Sequence, residues 1–232
     1  MKEPILILGA MDGEIAAFLS VLEHGVRQTW RSFEFHSGRI GGRDVVVARS
    51  GVGKTLAACV CQRLVDQYQP GAIIFTGIAG SVSESLNVGD TLIARDCIQH
   101  DIDATALGFA RGEVPYTQYR ILACDPRLVE AARSVSPLGG KTVVGRVLTG
   151  DQFIVSADEG SIRYLKSDLA GDVVEMEGAS VGLVAEVNAV PFVIIRTVSD
   201  SVGEPNKIDF SAFLKRASDS SLHIVTGMLN RL

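Results

Sequence analysis

Three stretches of this chain place carboxylates directly after runs of apolar residues. Ile5–Leu8 is followed by Gly9-Ala10-Met11-Asp12-Gly13-Glu14, Asp172–Glu175 by Met176-Glu177-Gly178, and Phe192–Val198 by Ser199-Asp200. A fourth run leads into Thr76-Gly77-Ile78-Ala79-Gly80, where glycine lets a ligand lie against bare backbone. Taken singly, each acid suits the first turn of a helix, where Asp and Glu cap amides and meet the positive end of the dipole. Crowded at one cleft they would repel one another. A protein tolerates that mainly where a developing positive charge or a proton transfer uses them.

Two further motifs invite a chemical reading and lose it. Ser50-Gly51-Val52-Gly53-Lys54-Thr55 ends like a phosphate-binding loop, but Ala48 stands where that loop requires its first glycine. The loop is also too short to wrap a β-phosphate, so Lys54 is expected to begin a helix. His100-Asp101 with Asp103 has the letters of a metal-ligand cluster, and a solvated polar loop accounts for the same letters.

In α/β sheets, ligands bind beyond the carboxyl ends of the strands, so the acids above call for such a sheet. The pattern supplies one. Short Val/Ile-rich runs predict strands at Ile5–Leu8, Phe33–Ser37, Asp44–Arg49, Ala72–Thr76, Asp90–Ala94, Gly145–Leu148, Asp172–Glu175 and Phe192–Val198. Apolar residues recurring at three and four predict helices at Glu14–Leu22, Lys54–Gln67, Pro126–Ser134, Asp158–Lys166, Glu177–Val187 and Phe210–Leu229. The alternation implies an α/β fold, a three-layer α/β/α sandwich around a mixed, mostly parallel sheet. One long polar segment, Asp101–Tyr119, interrupts it and carries Leu107, Phe109, Pro115 and Tyr116. Long loops of this kind are often functional.

With 232 residues, 47% of them hydrophobic and 21% charged, the chain has material for a continuous core and is expected to form one domain, 1–232. A net charge of −5 with scattered basic residues argues against nucleic acid as a partner. The longest unbroken apolar run, Leu56 to Cys61, is far short of the roughly 20 residues of a membrane span. Met1-Lys2-Glu3-Pro4 passes into a strand without a cleavage site, so a cytoplasmic location is expected. Cys59, Cys61, Cys97 and Cys124 form neither a CxxC pair nor a disulfide framework and are read as reduced thiols.

Together these segments resemble bacterial 5′-methylthioadenosine/S-adenosylhomocysteine nucleosidases, within the nucleoside phosphorylase superfamily. The markers occur in order: Gly9-Ala10-Met11 with Glu14, Ser50-Gly51-Val52-Gly53-Lys54, Thr76-Gly77-Ile78-Ala79-Gly80, His100-Asp101-Ile102-Asp103-Ala104-Thr105-Ala106, Thr149-Gly150-Asp151-Gln152-Phe153, Val174-Glu175-Met176-Glu177-Gly178-Ala179 and Arg196-Thr197-Val198-Ser199-Asp200. The resemblance spans Ile5 to about Leu229. It implies hydrolysis of the bond between ribose and adenine, with Asp200 as the acid for adenine N7 and Ser199 orienting it. Glu14 would hold and activate water, with Arg196 beside it. Glu177 would bind the ribose hydroxyls and Met176 would lie against the sugar, with Glu175 in the same substrate-binding stretch.

The resemblance also has Phe153 stacking on adenine, Ile154 offering backbone to the base edge, and Ile78, Ala79 and Gly80 flooring the site. Met11, Val52 and Phe210 would wall an apolar chamber for the 5′-alkylthio group. Leu107, Phe109 and Pro115 would reach across the two-fold of a homodimer to close the partner's chamber. No cofactor or metal is implied. Two positions depart from the family pattern: Ile78 stands where many members have serine, and Gly13 where an acid is more usual, the latter read as a matter of how the helix begins. The competing readings are a phosphorylase of the same fold, a 6-amino-6-deoxyfutalosine nucleosidase, and a non-catalytic nucleotide-binding module.

Overall fold

The computed structural model describes residues 3–154, 159–201 and 209–232. The strands are β1 (Ile5–Gly9), β2 (Glu23–Trp30), β3 (Phe33–Ile40), β4 (Arg43–Arg49), β5 (Ala72–Ser81), β6 (Thr91–Gln99), β7 (Leu122–Ala123), β8 (Thr142–Thr149), β9 (Val173–Glu175) and β10 (Phe192–Ser201). The helices are α1 (Asp12–Ser20), α2 (Lys54–Tyr68), α3 (Pro126–Arg133), α4 (Glu159–Ser167), α5 (Gly178–Val187) and α6 (Phe210–Leu229). Asp158, the expected first residue of α4, and the first two residues lie outside the described residues.

The sheet runs β10-β6-β8-β9-β5-β1-β4-β3-β2, with β7 on β6. β4, β1, β5 and β10 are parallel, as are β6, β8 and β9; the remaining pairings are antiparallel, so the sheet is mixed. β10 pairs with both β5 and β6, which closes β5, β10, β6, β8 and β9 into a ring at one end of the sheet.

The central strands are apolar on both faces because both are covered. Leu6 and Leu8 of β1, Ile73 and Phe75 of β5, and Phe192 and Ile194 of β10 join one core, with Ala57, Val60, Cys61, Leu64 and Val65 of α2 and Ala179, Val181 and Ala185 of α5. Their neighbours Ile7, Ile74, Val193 and Ile195 join the other, with Ile15 and Phe18 of α1, Leu128 of α3 and Ile224, Val225 and Met228 of α6. The result is the expected layered α/β arrangement, a mixed central sheet flanked by helices.

Several boundaries differ from the sequence reading, for identifiable reasons. β2 was not expected: Glu23–Trp30 is a polar, largely exposed edge strand held by β3, with no buried alternation to reveal it. β7 is only two residues long. β5 and β10 run on through Gly77–Ser81 and Ser199–Ser201 because they pair with each other there, so the glycine-rich stretch and the Ser-Asp pair are strand rather than loop. Gly13 lies where α1 crosses α6, and a side chain there would run into Leu214. Packing against α6 thus adds a second reason for the glycine beside its place in the first turn of α1.

Candidate active site

Glu14 stands in the first turn of α1 and is 4% exposed. Its Oε2 accepts from the amides of Ala10 (2.7 Å) and Met11 (2.9 Å), and its Oε1 from the amide of Ile78 (3.0 Å). Burial raises its pKa, opposed by the positive charge of Arg196 and by the three amides. A buried carboxylate so held is a fixed, basic acceptor. At the non-serine position, Ile78 thus contributes its backbone to Glu14, while the residue lines the cavity.

Gly77 makes this approach possible. A side chain on it would meet the Glu14 carboxylate and lie 3.0 Å from Arg196 Nη1, so at this position the glycine makes room for the protein's own catalytic candidates, where a ligand had been expected.

Arg196 is 1% exposed, donates from Nη2 to Glu175 Oε2 (2.5 Å) and stacks 4.2 Å from the Phe75 ring centroid. Glu175 also accepts from the Thr149 hydroxyl and from the amides of Glu177 (3.2 Å) and Gly178 (2.8 and 2.9 Å) at the start of α5. The Glu175 carboxylate is thus held by protein groups at the edge of the cavity that the residue lines. Glu177, the N-cap of α5, has a pKa pushed up to about 8, by burial first and then by the charge of Glu175; it accepts from the Gly53 amide at 2.8 Å.

A β-bulge in β10 lies between Val198 and Asp200, so that Val198 pairs Ala79 and Asp200 pairs Gly80. Bulges re-aim side chains beside active sites. Here Ser199 Oγ is 2.5 Å from Asp200 Oδ1 and 3.2 Å from the Ala79 carbonyl; a hydroxyl has one proton, and the shorter contact goes to the carboxyl.

One cavity of about 180 Å³ gathers most of these groups. Met11, Glu14, Val52, Ile78, Ala79, Gly80, Phe153, Ile154, Glu175, Met176, Glu177, Ser199, Asp200 and Phe210 line it. Arg196 lies behind the lining, and Leu107, Phe109 and Pro115 are not part of it. Ala10, Gln152 and Val174 also line the cavity and were not singled out from sequence; each adjoins a residue that was. A more open groove bordered by Val26, Ser37 and Tyr68 contains no comparable cluster of acids.

Lys54 begins α2, as expected. The ligand-like letters at His100–Asp103 are turned elsewhere: His100 Nδ1 meets the Tyr164 hydroxyl at 2.8 Å, Asp101 pairs with Lys54, and Asp103 with Arg111. Among the described residues no three His, Cys, Asp or Glu side chains are grouped to hold a metal ion.

A family model described as the phosphorylase superfamily matches residues 4–230. The 5′-methylthioadenosine/S-adenosylhomocysteine nucleosidase of Aeromonas salmonicida is 34% identical over 97% of this chain and 98% of its own. Among solved structures, the nucleosidase of that name from Neisseria meningitidis, in complex with methylthio-immucillin-A, superimposes with a TM-score of 0.90 at 32% identity, covering 99% of this chain and 100% of that one. A futalosine hydrolase mutant from Helicobacter pylori gives 0.89 at 27% identity, covering 99% and 100%. The chain belongs to the phosphorylase superfamily and, within it, to the family of 5′-methylthioadenosine/S-adenosylhomocysteine nucleosidases.

Proposed function

We propose that this chain is an N-glycosyl hydrolase that cleaves 5′-methylthioadenosine and S-adenosylhomocysteine to adenine and the 5-thio-substituted ribose. The observation that carries the reading is the pairing of a buried, amide-held Glu14 with Asp200 on the lining of one apolar-walled cavity. A pure binding module needs no such pair. At the position of the nucleophile, a carboxylate repels phosphate and accepts a proton from water, which disfavours phosphorolysis.

In this reading adenine stacks on Phe153 with Ile154 at its edge, and Asp200 gives its proton to N7 as the bond between N9 and the anomeric carbon breaks. The electron pair of that bond stays on adenine. Water attacks the oxocarbenium-like carbon and yields its proton to Glu14, while Arg196 holds the local charge in balance from behind. Glu177 receives the ribose hydroxyls, Met176 the sugar face, and Met11, Val52 and Phe210 the alkylthio group.

A panel of 5′-methylthioadenosine, S-adenosylhomocysteine, 5′-deoxyadenosine and 6-amino-6-deoxyfutalosine, followed by adenine release, tests the substrate assignment. The two thionucleosides are expected to react with the highest kcat/KM, and a preference for the futalosine-type nucleoside would overturn it.

We also propose that the chain works as a cytoplasmic homodimer. All four cysteines are thiols, and no helix among the described residues is long and apolar enough to cross a membrane. Leu107 (69% exposed) and the half-buried Phe109 and Pro115 sit on a loop rooted at Asp101 and do not line this subunit's own cavity, which supports reading them as a lip for a second subunit. Sedimentation showing an active monomer would contradict the shared site.

A further inference from the structure

The lysine of the run Gly51-Val52-Gly53-Lys54-Thr55 has no part in the nucleosidase chemistry, yet its side chain is only 17% exposed. Lys54 Nζ donates to Asp101 Oδ1 at 2.6 Å. Asp101 Oδ2 accepts from the Asp151 amide at 2.9 Å, and Asp151 Oδ1 accepts from the Lys54 amide at 2.8 Å. The three residues form a closed ring in which each is bonded to the other two. They come from three segments: the first residue of α2, the loop after β6 and the loop after β8.

Each segment leads to the cavity. Val52 lies two residues before Lys54, and Phe153 two residues after Asp151; both line it. Between them, the Gly53 amide holds Glu177. Asp101 roots the loop that carries Leu107 and Phe109. Burial alone would raise the Asp101 pKa, but the Lys54 hydrogen bond and the Asp151 amide outweigh it and hold the carboxyl below its usual value. Asp101 therefore meets Lys54 as a carboxylate at neutral pH. The Asp101 and Asp151 side chains take up the lysine and the first amide of α2, so the glycine-lysine run serves the protein's own loops.

We propose that Lys54, Asp101 and Asp151 are positioning residues, a clamp that fixes the adenine-stacking and ribose-binding segments relative to each other and so sets affinity for the adenosine part of the substrate. The proposal rests on the nucleosidase reading. None of the three touches the reacting atoms, so breaking the ring acts on binding more than on bond cleavage.

The test compares wild type, Lys54→Met, Asp101→Asn and the double variant by steady-state adenine release from 5′-methylthioadenosine. Lys215→Met, whose partner Asp219 is on the surface, serves as control. KM is expected to rise roughly tenfold in each clamp variant while kcat changes less than about threefold. The double variant should lose no more than the worse single one, because both break the same pair. A fall in kcat at unchanged KM, or losses that multiply in the double variant, overturns the clamp. Asp101→Asn keeps the side-chain size and is read in the same way should Lys54→Met fail to fold. Failure of wild type to release adenine strikes the nucleosidase reading instead; the clamp is then decided by calorimetric binding of adenine, weaker in the variants if it holds and equal if it does not.

Discussion

The floor of the cavity and its rim are built on opposite plans. On the floor, Glu14, Glu175, Glu177 and Arg196 are each at most 8% exposed, and their polar atoms meet amides, a hydroxyl or one another. At the rim, Val52, Phe153 and Phe210 are 51%, 69% and 47% exposed, apolar surface left in water. Buried charge is stable only when its partners are preset, so the floor is complete before substrate arrives. Exposed aromatic surface gains only when something covers it, so the rim is finished by adenine, the alkylthio group and, in our reading, a second subunit. Reactivity should therefore depend on the floor and affinity on the rim.

The sharpest way to break that division is at the two groups assigned to proton transfer. Asp200→Asn and Glu14→Gln should each lower kcat by about 10²–10⁴-fold while the fold is kept, checked by single-turnover kinetics beside circular dichroism. A variant retaining more than about a tenth of wild-type kcat would remove that residue from its role.

Arg196→Met tests the floor as structure. It leaves Glu175 buried without its cation and should cost about 3–5 kcal/mol in denaturant unfolding, with activity lost as well. At the rim, Phe153→Ala should leave the unfolding midpoint in place, since the ring is mostly in solvent, yet weaken adenine binding by about 1–3 kcal/mol in calorimetry. A large loss of stability there would erase the contrast.

The floor can also be tested by pH. Glu177 has a pKa of about 8 in the folded chain against an ordinary 4.5, so between those values the folded state keeps a proton that the unfolded state has lost. Stability from this group is lost as pH rises through that window, by up to about 1.4 kcal/mol per unit. Glu14 shifts in the same direction, so the comparison is differential. Melting curves at pH 5 and 8 should show a larger fall for wild type than for Glu177→Gln; parallel falls would contradict the shift.

Much of this arrangement was legible in the sequence. α6 occupies Phe210–Leu229, the span its periodicity predicts, and α2 differs from expectation by one residue. The acids after β1, β9 and within β10 were found because chemistry at strand ends leaves a local mark. Long-range partners leave none. Glu175 looked like its neighbours until its carboxylate was seen to meet Arg196, 21 positions away, and the Thr149 hydroxyl, 26 positions away. The clamp joins positions 47, 50 and 97 apart. Closure of the sheet through β10 likewise depends on pairings with β5 and β6 that periodicity cannot register.

The central claim is that the floor delivers water to the anomeric carbon. It is tested most directly by following 5′-methylthioadenosine cleavage while phosphate is raised from zero, with the sugar product identified by mass spectrometry. The account predicts full activity without phosphate and 5-methylthioribose as the sole sugar product at every concentration. Activity that requires phosphate, with 5-methylthioribose-1-phosphate as product, would contradict it.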